Sequence, residues 1–311
     1  MSGAGSDAGT DGETVAGAIA ARSRSRAKGV ILAVISAVTF STLGLFAKLA
    51  YSQGMAPPQA LAWRFSLAAF VLWIVLVRKG GHRRPLRDYR DIVLLGLLGF
   101  SPQAGLYFLA VQYLDPGIAS LLLYLYPAFV VGLGFLLFGK RPRKAQLLAL
   151  AASLAGCVLT LWTRGVYPAI GYAYGLAVAI SYAAYLVVAD RLLSRFDPIF
   201  STANIMASAA AVYWVVTLAT GAFLLPDSLP EIAGIVGIAV VASIVPIVTL
   251  FASIRLIGSA DYSLVSTVEP LFTVMLSALL LGERLTGLQF AGGAFILIGV
   301  LILNLGRKGE R

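Results

Sequence analysis

The sequence predicts an all-α membrane protein with ten transmembrane helices, arranged as two five-helix repeats of inverted topology. Composition is the first support, because the 311-residue chain is 59% hydrophobic and only 12% charged, about half the charged share of an ordinary soluble domain. The second is a set of ten apolar segments, each close to the roughly 20 residues that a bilayer crossing requires. The third is a series of residue pairs that recur at a nearly constant offset.

Short connections, often with proline or glycine, separate the ten apolar segments, as at Pro57-Pro58 and Asp115-Pro116. The alternating ten-residue pattern of a membrane barrel is not found in the sequence. The predicted spans are residues 29–51, 57–77, 91–113, 116–139, 144–163, 170–193, 198–221, 231–254, 260–281 and 286–305.

The basic residues are distributed very unevenly between the connections. With the amino terminus placed in the cytoplasm, 20 of the 24 Lys and Arg residues fall in inside segments, two fall outside, and Lys48 and Arg64 fall within spans. This asymmetry predicts that both termini are cytoplasmic. It also accounts for the formal net charge of +10, so we expect no nucleic-acid partner.

An internal repeat is visible in the fourth and ninth spans, where residues 127–141 (PAFVVGLGFLLFGKR) resemble residues 270–284 (PLFTVMLSALLLGER). Two halves of five spans each must lie in opposite orientations. The loop after the fourth span is strongly basic and its counterpart is not, as inversion requires. The residues paired at an offset of 143 include Pro127 with Pro270, Phe129 with Phe272, Arg141 with Arg284, Gln146 with Gln289 and Gly156 with Gly299.

The predicted organisation follows from this repeat. We expect a disordered cytoplasmic tail at 1–27, the first repeat at 28–165, the second at 166–306 and a short cytoplasmic tail at 307–311. Inverted repeats place a substrate site near the bilayer midplane, at the interface between the halves.

The Pro-to-Gly stretches 127–139 and 270–284, with Gly-Glu-Arg at 282–284, resemble the drug/metabolite transporter superfamily, and within it the EamA-type ten-helix permeases. The similarity covers nearly the whole chain after residue 28, with exporters of aromatic amino acids of the YddG type as the nearest likeness. One departure is Lys140, where many relatives carry Glu. The resemblance implies an exporter of amino acids or related metabolites in the bacterial inner membrane.

The ninth span carries a polar stripe at helical spacing that would be costly against lipid. Within it Glu269 is the only acid near the middle of a span. Two readings stay open: it contacts a substrate amine or carries a proton, or it is a structural partner, for example of Arg64. Arg64 could equally bind a substrate carboxylate.

Pro127 and Pro270 interrupt corresponding helices beside Tyr126 and Glu269. Such breaks point to a binding site, although a packing kink is the alternative. Aromatic side chains on several spans would suit an apolar or aromatic substrate group. The remaining candidates are Phe40, Gly44, Gln103, Tyr107, Tyr124, Tyr182, Tyr185, Ser243, Pro246 and Ser266.

These residues favour a secondary transporter that works by alternating access, with a small molecule and the lipid bilayer as partners. The sequence contains no phosphate-binding loop of the Walker type. One loop histidine, His82, and one cysteine, Cys157, do not favour a metal site, a cofactor or catalysis. The alternatives are a carrier of sugar phosphates or nucleotide sugars, which needs several buried basic residues, and a membrane receptor that does not transport.

Overall fold

Helices make up the fold throughout the ranges that the structure, a computed structural model, describes: residues 8–138, 144–162, 167–193, 195–222 and 228–308. The α-helices are α1 (Ala8–Ser41), α2 (Leu43–Ser52), α3 (Pro57–Arg78), α4 (Leu86–Leu95), α5 (Ser101–Tyr113), α6 (Pro116–Leu123), α7 (Tyr126–Phe138), α8 (Lys144–Leu161), α9 (Ala169–Leu193), α10 (Pro198–Ala219), α11 (Leu229–Val236), α12 (Val245–Ser266), α13 (Glu269–Leu281) and α14 (Gly287–Lys308). Two π-helical segments, Gly96–Phe100 and Gly237–Ile244, connect α4 to α5 and α11 to α12.

Seven helical stretches among the described residues are long and apolar enough to cross a membrane, and three shorter apolar helices accompany them. Each of these stretches overlaps one of the predicted spans. Large apolar side chains cover the outside of the helices; Phe70 is 65% exposed, Leu136 76% and Leu279 72%. Apolar surface of this extent is compatible with lipid and not with water. The stretches are Ser23–Ser52, Pro57–Arg78, Leu86–Tyr113, Pro116–Leu136, Ala169–Ala189, Pro198–Ala219, Leu229–Ile257, Leu147–Thr160, Glu269–Leu281 and Gly287–Ile302.

The first helix begins well before the predicted first span. Helix α1 starts at Ala8, within the stretch predicted as the cytoplasmic tail at 1–27. The segment is rich in alanine, which has the highest helix propensity of any residue. The basic loop at 139–143, the boundary between the predicted repeats at 163–166 and the chain ends 1–7 and 309–311 lie outside the described residues.

Helix α12 covers residues 255–259, which lie in a predicted connection. The hydroxyl of Ser36 lies 2.8 Å from the carbonyl oxygen of Pro246 and 2.9 Å from the hydroxyl of Tyr262. In a straight helix these two residues would be roughly 24 Å apart. Since both contact one side-chain oxygen, the chain folds back between them, in the region of the predicted connection.

Two helix breaks interrupt corresponding segments of the chain. Helix α6 ends at Leu123 and α7 begins at Tyr126, while α12 ends at Ser266 and α13 begins at Glu269. Both pairs of boundaries lie 143 residues apart, the offset of the sequence repeat. Pro127 and Pro270 follow the breaks directly, as expected for residues that cannot donate a helical hydrogen bond.

The packing of α8 against α14 is reciprocal. A Cβ atom at Gly156 would lie 2.5 Å from the carbonyl oxygen of Gly292 and 2.8 Å from the nitrogen of Ile296. One at Gly299 would meet Ser153 and, at 2.7 Å, the carbonyl oxygen of Ala149. Because Ala149, Ser153 and Gly156 each precede their counterparts by 143 residues, the two helices exchange equivalent contacts, as surfaces related by a two-fold axis do.

The two π-helical segments also share a local design. Ser101 donates to the carbonyl oxygen of Gly96 at 2.7 Å, and Ser243 donates to that of Ile238 at 2.8 Å. Each serine thus satisfies a carbonyl five residues earlier, beside a widened helical turn. π-Helical turns are often found at functional sites, and both segments border the polar interior described next.

Candidate functional site

Arg64 is a buried cation on α3, with 6% of its surface exposed. Its Nε donates to Ser243 Oγ at 2.7 Å, so it is held by the π-helical segment before α12. Its guanidinium carbon also lies 4.8 Å from the ring centre of Phe65 and 5.7 Å from that of Phe108. No carboxylate of the described residues forms an ion pair with it, which leaves donors of the guanidinium free to bind an anion.

Glu269 opens helix α13 at the second helix break and is partly buried. Its Oε2 lies 3.0 Å from the hydroxyl of Tyr124, which also lies 3.3 Å from the carbonyl oxygen of Ser266. Pro270 cannot donate to that carbonyl within the helix, so the tyrosine offers it a replacement donor. Since a phenol has one hydrogen, the two acceptors share it.

A row of six aromatic rings runs between these two charged groups. From Glu269 the contacts are Tyr124 to Tyr126 at 6.0 Å, Tyr126 to Tyr182 at 4.8 Å, Tyr182 to Tyr185 at 6.1 Å, Tyr185 to Phe100 at 5.8 Å and Phe100 to Phe65 at 5.5 Å between ring centres. Phe65 in turn contacts Arg64. We call these six residues the aromatic row; its edge-to-face and stacked geometries are those that aromatic pairs prefer.

Tyr107 on α5 is within electrostatic range of both Arg64 and Glu269. It is buried, and its hydroxyl would be 3.2 Å from a Cβ atom at Gly44. Glycine at this position therefore leaves room for the phenol.

The remaining predicted residues fall into two groups. Tyr126, Tyr182 and Tyr185 belong to the row, whereas the carbonyl oxygen of Pro246 accepts a hydrogen bond from Ser36, whose hydroxyl also bonds to Tyr262. Phe40 and Gln103 are partly buried on α1 and α5, and no ring contact or hydrogen bond of the described residues links them to the row. The prediction did not include Phe65, Phe100 or Ser36, whose roles depend on contacts between distant spans.

A second polar cluster lies outside the spans, where two connections meet. The Tyr167 hydroxyl donates to Asp115 Oδ2 at 2.5 Å, and the Glu283 carboxyl group also interacts with Asp115. Burial, together with the nearby Asp115 carboxylate, raises the pKa of Glu283 to about 7, although Lys48 acts in the opposite direction. Burial and the bond to Asp115 also raise the pKa of Tyr167. The cluster ties the connection before α6 to the one after α13.

The fold and the site define an integral membrane protein whose helices enclose a polar, aromatic interior with a cation at one end and an acid at the other. The chain belongs to the EamA-like transporter family, whose model matches residues 27–162 and again residues 169–305. It is thus a membrane transporter with a small-molecule substrate, as the sequence resemblance predicted.

Several curated relatives carry transporter names. The chain is 28% identical over 294 residues to the uncharacterized transporter YcbK of Bacillus subtilis (strain 168), covering 88% of this chain and 93% of that protein. It is 26% identical over 260 residues to the uncharacterized inner membrane transporter YedA of Escherichia coli (strain K12), covering 81% and 83%. A crystal structure with 22% identity and a TM-score of 0.62 covers 92% of this chain and 99% of its own, which supports the fold.

Proposed function

We propose that the protein is a secondary transporter that exports amino acids, aromatic or apolar ones among them, or related small metabolites across the bacterial inner membrane by alternating access. The observation that carries the proposal is the pair of unneutralised charges at the ends of the aromatic row. Arg64 is buried and Glu269 is partly buried, and neither forms an ion pair with a described residue. Buried charges require a partner, which a bound substrate would supply.

The chemistry of the two ends matches a zwitterion. A guanidinium held by Ser243 can bind a carboxylate through its remaining N–H groups, and a carboxylate among tyrosines can bind an ammonium group. The rings between them would cover an apolar or aromatic side chain. The substrate-binding residues of this proposal are therefore Arg64, Tyr107, Tyr124, Tyr126, Tyr182, Tyr185, Ser243 and Glu269.

Alternating access is proposed from the internal symmetry. We infer ten spans in two five-helix halves of inverted topology, with both termini in the cytoplasm. The support is the helix breaks 143 residues apart, the reciprocal packing of α8 and α14, the two matches to the family model and the uneven distribution of basic residues. Halves that exchange conformations would open a midplane site first to one side and then to the other.

A carrier of sugar phosphates or nucleotide sugars is the second candidate. Such anions call for several buried basic groups, and in the described ranges Arg64 is the one Lys or Arg side chain among the buried residues. That observation favours a substrate with a single carboxylate. A receptor that binds the same ligand without moving it is the third candidate, and transport measurements separate it from the first.

The direct test is flux into proteoliposomes that carry an imposed pH gradient, with L-phenylalanine, L-leucine and glucose 6-phosphate as probes. We expect wild-type protein to move the apolar amino acids, and R64Q to abolish their flux while R78Q, an exposed matched control on the same helix, retains it. Binding without flux would identify a receptor. Flux of glucose 6-phosphate alone would replace the amino-acid proposal with the second candidate.

The same assay addresses proton coupling through Glu269. If Glu269 carries the coupled proton, E269Q loses the dependence of flux on the pH gradient, whereas D88N, in the first turn of α4, keeps it. An active E269Q protein whose flux still follows the gradient would exclude a proton-carrying role and leave Glu269 as a contact for the substrate amine.

A further inference from the structure

A cleft of about 360 Å³ opens on the side of the protein between α9 and the helix formed by α4 and the first π-helical segment. Its volume falls in the range of small-molecule sites, roughly 300–1,000 Å³. Leu94, Leu98 and Val188 form its rim and are 46%, 76% and 55% exposed. Such apolar, exposed walls within membrane-crossing helices face lipid, so the cleft opens into the bilayer.

The inner end of the cleft reaches the aromatic row. Gly99 and Tyr185 both line it, and a Cβ atom at Gly99 would lie 3.0 Å from Cδ2 of Tyr185. The Tyr185 ring therefore rests on a glycine of the π-helical segment, and it is also the fourth ring of the row that leads to Glu269. Rotation of this one side chain would join the cleft to the interior.

The end of the cleft at the membrane surface carries one carboxylate, whose Oδ1 accepts from the adjacent Arg90. Asp91 lines it there, with 34% of its side chain exposed, and pairs with Arg90 at 3.1 Å. Ser181 and Tyr185 supply the two hydroxyl groups of the lining, and apart from Asp91 the remaining residues are apolar. The cleft thus presents a carboxylate at its mouth, an apolar passage, and a tyrosine row that ends at a second carboxylate.

We propose that this cleft is a lateral entrance through which an amphipathic, amine-bearing substrate passes from the cytoplasmic leaflet to the aromatic row. The inference rests on the proposed function and orientation, which place Asp91 at the cytoplasmic face. An ammonium group matches Asp91 at the start of the path and Glu269 at its end, and the apolar part of the molecule matches the walls between them. A lipid acyl chain would match only the walls.

Labelling tests occupancy without requiring transport. In a C157S background, a cysteine introduced by A184C lies in the cleft, and one introduced by V215C lies on the exposed surface of α10. We expect 2-phenylethylamine to slow alkylation of the A184C protein by N-ethylmaleimide about tenfold at ten times its dissociation constant, and to leave the V215C protein unaffected. Its uncharged counterpart 2-phenylethanol should protect much less.

Equal protection by the amine and the alcohol would mean that the cleft accepts any apolar chain, a lipid included, and would overturn the proposal. Absence of alkylation or of protection at A184C would overturn it as well. Protection by the amine in a protein that transports none of the probes would support the lateral entrance and contradict the proposed function.

Flux supplies the complementary measurement. A184W fills the cleft and should slow export of L-phenylalanine at least about tenfold relative to V215W, because it blocks entry from the cytoplasmic side. Equal flux in the two variants would overturn the entrance while the proposed export function stands.

Discussion

Arg64 on α3 donates to Ser243 across 2.7 Å and thereby joins two spans that are 179 residues apart in the chain. Ser243 in turn donates to the Ile238 carbonyl at 2.8 Å and is fully buried. One hydroxyl therefore positions a buried cation and completes a π-helical turn. The position of the proposed carboxylate-binding group depends on this serine.

Replacing this hydroxyl tests that dependence. S243A removes the acceptor of a charged donor and should lower the free energy of unfolding by about 1–3 kcal/mol, measured as a lower midpoint of thermal unfolding in detergent. S101A is the matched control, because Ser101 makes the same bond to a carbonyl five residues earlier without holding a guanidinium. An equal loss of unfolding free energy in S243A and S101A would show that the hydrogen bond from Arg64 to Ser243 does not stabilise the fold.

The close approach of α8 and α14 gives a second prediction. G156A places a methyl group against backbone atoms of α14, so we expect overpacking to cost about 1–3 kcal/mol in unfolding free energy. G132A is the control, and we expect it to raise the unfolding free energy. No atom lies within 4 Å of its new Cβ, and the better helix propensity of alanine should add up to about 1 kcal/mol. A stable G156A protein would contradict the reciprocal packing.

The interaction between Asp115 and Glu283 predicts how stability depends on pH. Since the pKa of Glu283 rises from 4.5 to about 7 on folding, the folded protein binds more protons than the unfolded chain between these values. Stability linked to this group is present below pH 4.5 and is lost as the pH rises to about 7. E283Q should flatten the dependence of the unfolding midpoint on pH over this window, whereas E231Q, at a glutamate in the first turn of α11, should not. A profile unchanged by E283Q would contradict the assignment.

Periodicity and the internal repeat were sufficient to predict the helical spans and the positions of the breaks before Pro127 and Pro270, because these features depend on local sequence. The reversal within α12 lies where a connection was predicted, but the helical conformation of residues 255–259 and the early start of α1 were not predicted from local sequence. Local sequence limits the positions at which a helix can end, and tertiary packing determines which of these positions is used.

The candidate site, like the fold, could be predicted from the sequence only in part. Arg64 and Glu269 stand out in the sequence because charge within a span is costly. Their separation could not be predicted, and the structure gives Arg64 a serine and Glu269 a tyrosine as partners, rather than pairing them with each other. Phe65 and Phe100 were not predicted, because an aromatic residue within an apolar span forms no distinctive sequence pattern. Their roles depend on neighbours on other helices.

The bond between Tyr124 and Glu269 yields the last prediction. Y124F keeps the ring contact with Tyr126 but removes the hydroxyl that lies 3.0 Å from the carboxylate. A hydrogen bond to a charged group contributes about 1.5–3 kcal/mol, so amino-acid flux should fall by about tenfold or more. Y113F is the matched control, since Tyr113 is 40% exposed and stacks on Tyr174 away from the row.

A double-mutant cycle separates a positioning role from a general effect on the fold. If Tyr124 acts by orienting Glu269, adding Y124F to E269Q should change flux and substrate affinity little further, because the interaction is already lost. Independent, multiplying losses in the double variant would show instead that the tyrosine contacts the substrate by itself. Since the same hydroxyl lies 3.3 Å from the Ser266 carbonyl, a fall in the thermal midpoint of Y124F in both backgrounds would assign its main role to the helix break.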